Sequence, residues 1–223
     1  MERGKLMNLK KLKKLKKLIP KYAVVPIVVM IAVNFFTFFI TPVWTNQLHH
    51  YCMEITLDKM LPFVPVFIVP YILAYVQWAV GFIGIARTGE DYCKRFIYGE
   101  IIAKTIVCVI FFLMPTTMER AVIERNDVFS GMVALIYSID APVNLFPSIH
   151  CLESWFCFRG SLNRRYFSRT WTIAMGVMTV LVFLSTVLIK QHLVVDMIGA
   201  VAVAEIGLFV SGKLRTEQNR KMC

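Results

Sequence analysis

His192 and Asp196 stand four residues apart in Ser185-Thr-Val-Leu-Ile-Lys190-Gln-His192-Leu-Val-Val-Asp196. On a helix that spacing puts an imidazole and a carboxylate on one face, so Asp196 can hold one ring nitrogen of His192 and leave the other free to attack. The pair lies among apolar residues, where an ionisable group is costly unless it is paired or used. His150, in Phe146-Pro147-Ser148-Ile149-His150, has the same character. Two such histidines, with Arg120 and Lys190 as nearby cations, suit a phosphoryl group, whose transfer needs a nucleophile, a general acid and an anion cradle. Helix amino termini at Ser148 and Gln191 would add backbone N–H donors.

The elements that must position these residues are membrane helices. At 57% hydrophobic and 17% charged residues, the 223-residue chain is too apolar for a soluble domain of its size. Apolar stretches at about 23–41, 61–86, 100–117, 170–189 and 193–211 each approach the ~20 residues that a helix needs to cross ~30 Å of hydrocarbon. A sixth, about 146–162, is shorter. The expected fold is an all-α integral membrane protein, a six-transmembrane-helix bundle, with a short outer-surface helix over Val128 to Ile139. Its parts are a basic cytoplasmic segment at 1–22, a membrane domain at 23–212 and a cytoplasmic tail at 213–223.

The net charge of +11 is distributed as a topology signal rather than as a nucleic-acid surface. Lysines and arginines gather before the first span, in 87–95, in 159–169 and in 213–221; the other loops hold Lys59, Arg120, Arg125 and Lys190. That bias predicts a multi-pass protein of the cell membrane with both termini in the cytoplasm. It also brings Arg120, His150 and His192 to the extracytoplasmic side. The three-residue repeat Leu9 to Leu18 reads as an orientation anchor on anionic lipid. Pro62, Pro65 and Pro70 predict a kinked second span, and Lys104 with Glu205 are at matching depth for a buried pair or snorkelling. Six cysteines without a C-x-x-C pair predict neither a disulfide framework nor a zinc site. No carboxylate or cysteine cluster calls for a metal or other cofactor.

Pro147-Ser148-Ile149-His150 and Ser185-x6-His192-x3-Asp196 resemble the second and third signatures of the type 2 phosphatidic acid phosphatase superfamily, P-S-G-H and S-R-x5-H-x3-D. Tyr137 to Phe146 and the proline-rich second span resemble bacterial members near its inositol phosphotransferase and sphingomyelin synthase branch. The resemblance covers roughly 58–211. It implies a six-helix bundle that transfers phosphoryl groups without metal through a phosphohistidine, on a lipid phosphate or isoprenoid phosphate. By position it implies His192 as nucleophile, Asp196 as its orienter and His150 as general acid, with Ser148, Ser185 and Arg120 at the phosphate. The chain departs from the pattern where Leu113 occupies the first signature's lysine position, Ala121 follows Arg120, Ile149 replaces glycine and Thr186 replaces arginine. Lys190 supplies a cation two residues from His192 at a position outside the family's pattern. The alternative left open is a relative of the same fold without catalysis, acting as a lipid-binding or scaffold protein. A transporter is disfavoured, since two halves with interrupted midplane helices are not evident.

Overall fold

A computed structural model describes residues 19–124 and 127–222; the Leu9–Leu18 repeat, Arg125 and Cys223 lie outside them. The chain is an all-α membrane protein. Among the described residues, five helical stretches are long and apolar enough to cross a bilayer: Lys21–Thr45, Pro65–Ala86, Glu90–Leu113, Arg169–Leu188 and Val194–Glu217.

The first stretch is α1 (Lys21–Phe35), a π-helical turn (Phe36–Ile40) and α2 (Thr41–Thr45). The widened turn directly precedes Pro42, which has no N–H for the preceding turn's carbonyl. Buried Thr41 and Thr45 bond back to the carbonyls of Thr37 and Thr41, at 2.5 and 3.2 Å, on one face of the helix. Strand β1 (Tyr51–Cys52) and helix α3 (Thr56–Met60) follow.

The prolines of the second stretch start its helix instead of kinking it. Pro65 opens a 3₁₀ turn (Pro65–Phe67), and α4 runs from Ile68 to Ala86, so Pro70 falls in the first turn, where its missing N–H costs nothing. Helix α5 (Glu90–Leu113) begins well before the apolar run expected from residue 100. Glu90 and Asp91 occupy its first turn, where the helix dipole favours acids. Strand β2 (Thr116–Thr117) pairs in parallel with β1, tying the segments that follow the first and third stretches together.

The amphipathic α6 (Val128–Ile139) has the expected bounds and starts where the Asp127 carboxylate accepts the N–H groups of Phe129 and Ser130, at 2.7 and 3.1 Å. Ser148 caps α7 (Ile149–Ser161), and Ser168 caps α8 (Arg169–Leu188). The last helix is α9 (Val194–Met222). With only 13 residues, α7 is about 20 Å long at 1.5 Å per residue. It is the central post of the bundle, packed against α4, α5, α8 and α9 and hydrogen-bonded through Glu153 to Asn34 of α1.

Helices α5 and α9 make the most extensive contact. A Cβ at Gly207 would stand 2.3 Å from the Gly99 carbonyl oxygen and 2.9 Å from the Ala103 Cβ. Such close backbone approach is how membrane helices gain packing without a hydrophobic drive. Gly207→Ala is therefore expected to destabilise the bundle by roughly 1–3 kcal/mol, read as a lower thermal midpoint in detergent. Glu205, on the same helix, pairs with Arg159 at 2.5 Å and accepts from the Trp155 indole at 2.8 Å. Its expected partner Lys104 is instead bonded to Glu153.

Candidate active site

Both histidines stand where helices begin. The Leu145 and Phe146 N–H groups donate to Thr116 Oγ1, at 2.9 and 2.8 Å, which anchors the approach to α7. Ser148 then caps the helix by accepting from Cys151 N–H at 3.4 Å, and its own N–H donates to the Asp196 carbonyl at 3.2 Å. Gly199 leaves room for Phe146: a Cβ there would lie 2.4 Å from the ring. These contacts dock the start of α7 on the start of α9.

His192 is in the turn before α9, not on its face, and the expected helix start at Gln191 is displaced to Val194. The turn is made where α8 ends: Gln191 and His192 N–H both donate to Thr186 O, at 2.9 and 3.0 Å, and Lys190 takes a left-handed φ of 52°. Asp196, in the first turn of α9, reaches back as an acid at that position does. Its Oδ2 accepts from Leu193 N–H at 2.8 Å and lies 3.2 Å from His192 Nδ1. The pairing inferred from the four-residue spacing is thus made by a helix start, and Nε2 of His192 is left for chemistry. Asp58 fixes the turn from the other side, with Oδ1 accepting Val194 N–H at 2.8 Å.

The His150 ring lies 6.3 Å from that of His192, centroid to centroid. It stacks on Tyr71 at 4.2 Å and meets Trp78 and Tyr75 edgewise at 5.0 and 5.6 Å. Three rings therefore fix its plane. The Trp78 indole is itself held by Ser154 Oγ at 2.9 Å. Sequence reading missed this box, because Tyr71, Tyr75 and Trp78 look like ordinary bundle aromatics. Their spacing on one helix was the available signal.

His192 borders two cavities of different character. One, about 410 Å³, is lined mainly by apolar side chains of the first stretch, α4 and α6, with His150 and Asp140. The other, about 220 Å³, is polar and includes Asp58, Lys59, Glu119, Arg120 and Lys190. A larger open cleft of about 880 Å³, near Asp91, Arg95, Arg165 and Arg215, is at the opposite end of the bundle and holds neither histidine.

The cations near His192 are bound to the protein as well. Arg120 donates through Nη1 to the carbonyls of Asp140 (2.6 Å) and Tyr137 (3.2 Å), through Nη2 to Gln191 Oε1, and stacks over the Tyr137 ring. Burial lowers its pKa, with Asp140 acting in the opposite sense. The Asp140 carboxyl is pushed above the usual carboxylate range by burial, with His192 and Arg120 drawing it back. Lys190 Nζ donates to the carbonyls of Asp58 and Leu61, at 2.7 and 2.8 Å, so it secures the turn as it borders the polar cavity. Ser185 is fully buried and its hydroxyl donates to Val182 O at 2.7 Å; it lines neither cavity.

No family model matches the chain, and neither the curated proteins nor the solved structures yield a match. What the site can do thus rests on its own groups. His150 Nε2, Arg120 Nε, Gln191 Nε2 and Asp196 Oδ1 are buried without a hydrogen-bond partner. Unmade hydrogen bonds of that kind are costly in a closed interior. The aspartate among them is the partner of His192, and the histidine is the second imidazole of the site.

Proposed function

We propose that the protein transfers the phosphoryl group of a lipid phosphate or isoprenoid phosphate through a phosphohistidine, as a metal-independent lipid phosphatase or phosphotransferase resembling the type 2 phosphatidic acid phosphatase superfamily. One observation carries the reading: a carboxylate-oriented imidazole and a second imidazole stand 6.3 Å apart beside an apolar cavity. Both rings line that cavity, so one phosphate ester held there can meet the two imidazoles on opposite sides of its scissile bond.

In the first step His192 Nε2 attacks phosphorus, the bond from phosphorus to the lipid oxygen breaks, and His150 gives that oxygen its proton. In the second, water or an alcohol attacks phosphorus, its O–H proton passes to His150, and the N–P bond breaks to free His192. Asp196 supports the charge that His192 gains. The apolar cavity suits the lipid tail. Arg120 and Lys190 border the polar cavity and lend positive potential there, with Ser148 at the capped start of α7.

The six-crossing reading counts the short α7 as the fourth span. Together with the basic loops it puts both termini in the cytoplasm and the histidines on the extracytoplasmic side. A second reading, a lipid-binding or scaffold protein without turnover, draws on the engagement of Arg120 and Lys190 with main-chain carbonyls.

The test is purified protein with a panel of lipid and isoprenoid phosphates, with and without diacylglycerol or ceramide, scored for free phosphate and for new phospholipid. Turnover on at least one substrate is expected, and at an unchanged rate in EDTA. Binding without turnover across the panel supports the scaffold reading. Loss in EDTA that one divalent ion restores contradicts the metal-independent mechanism.

A further inference from the structure

One helical turn along α7 from His150, a second group of polar residues is closed inside the bundle. Lys104 of α5 is fully buried. Its Nζ donates to Glu153 Oε1 of α7 at 2.6 Å and to Asn34 Oδ1 of α1 at 3.2 Å, and stands 3.8 Å from Glu100 Oε1. Asn34 Nδ2 also donates to Glu153 Oε1, at 3.2 Å. The donors of the cluster therefore converge on one oxygen. Both oxygens of Glu100 and Oε2 of Glu153 are buried with no donor. The two carboxyls are within hydrogen-bonding reach of each other, yet as carboxylates neither brings a hydrogen.

One ammonium and two carboxylates would leave a net charge of −1 in an apolar interior, a state that is strongly unfavourable. No other charge offsets it among the described residues. α1 brings Asn34, a neutral group. The remaining titratable neighbours, Cys157 and His150, lie on α7, and Glu205 of α9, partly exposed, is held by Arg159.

We propose that Glu100 and Glu153 share one exchangeable proton, forming an intramembrane proton-binding site with Lys104 as its fixed counter-charge. Glu153 remains the ionised partner of Lys104, while Glu100 carries the O–H and donates it to the free Glu153 oxygen. Binding a proton from water takes the site from −1 to neutral and makes no bond besides that O–H. Since its groups come from α1, α5 and α7, losing the proton places an unbalanced charge at the junction of three helices. The site is independent of phosphoryl transfer.

The full chain in detergent is examined by infrared spectroscopy at neutral pH with carboxyl carbons isotopically labelled, and by thermal unfolding. The parent should show a protonated carboxylic acid band that Glu100→Gln removes. Because glutamine is the neutral isostere of a protonated glutamate, Glu100→Gln should melt within about 2 °C of the parent. Glu153→Gln removes the charged oxygen on which Lys104 and Asn34 converge, leaving only Glu100 at 3.8 Å, and should melt on the order of 10 °C lower. The absence of a band difference between parent and Glu100→Gln overturns the proposal, as does a Glu100→Gln midpoint as low as that of Glu153→Gln. A midpoint raised by sodium over choline at equal ionic strength also overturns it, in favour of a metal cation.

Discussion

On the proposed function, His192→Ala is expected to abolish turnover and to leave no phosphoenzyme when a radiolabelled lipid phosphate is mixed with the protein and quenched in alkali, where an N–P bond survives. With Nδ1 of His192 held beside Asp196 at 3.2 Å, only Nε2 of that ring is placed to attack. Removal of the imidazole leaves the apolar cavity intact, so lipid binding should persist. His150→Ala gives a different signature. In the proposed mechanism the ring boxed by Tyr71, Tyr75 and Trp78 serves the leaving oxygen, so its loss should slow ordinary lipid phosphates by about 10²–10⁴-fold and a nitrophenyl phosphate, whose leaving group needs no proton, far less. Phosphoenzyme formation in His192→Ala, or equal slowing of both substrate types in His150→Ala, contradicts the assigned roles.

Asp196→Asn should retain the fold and lose activity by about two to four orders of magnitude. The oxygen that contacts His192 also accepts Leu193 N–H at 2.8 Å. An asparagine oxygen in its place keeps both bonds and hence the turn. What it removes is the negative charge that steadies the ring as it becomes positive. The variant should match the parent in thermal midpoint and lipid binding and differ in kcat. A loss below tenfold would mean that Asp196 serves the turn alone.

The long helices and the two histidine-bearing stretches were legible in the sequence, because span length and isolated ionisable groups are local signals. So were the bounds of α6, where Asp127 caps an apolar run. The prolines of the second stretch misled because their effect depends on where the helix begins: Pro70 in a first turn breaks nothing. Lys104 misled because depth along a helix does not specify the neighbour at that depth, and Glu153 belongs to a helix packed against α5 rather than to the expected partner α9. The roles of Asp58 and Tyr71 depend on contacts with residues far along the chain, Val194 and His150. Local spacing cannot express such contacts.

The short central helix has a consequence for the bilayer. A post of about 20 Å is shorter than about 30 Å of hydrocarbon; α5 runs on nine residues past Lys104, which is bonded to Glu153, whereas His150 is three residues from Glu153, so its ring lies level with the start of α9 but below the end of α5. On the proposed function, a phosphate there would have left the plane of its fellow headgroups and shed part of its hydration to descend. The depth of that descent would depend on where the membrane surface sits against the end of α5, so the proposed reaction should vary in rate with the thickness of the host bilayer.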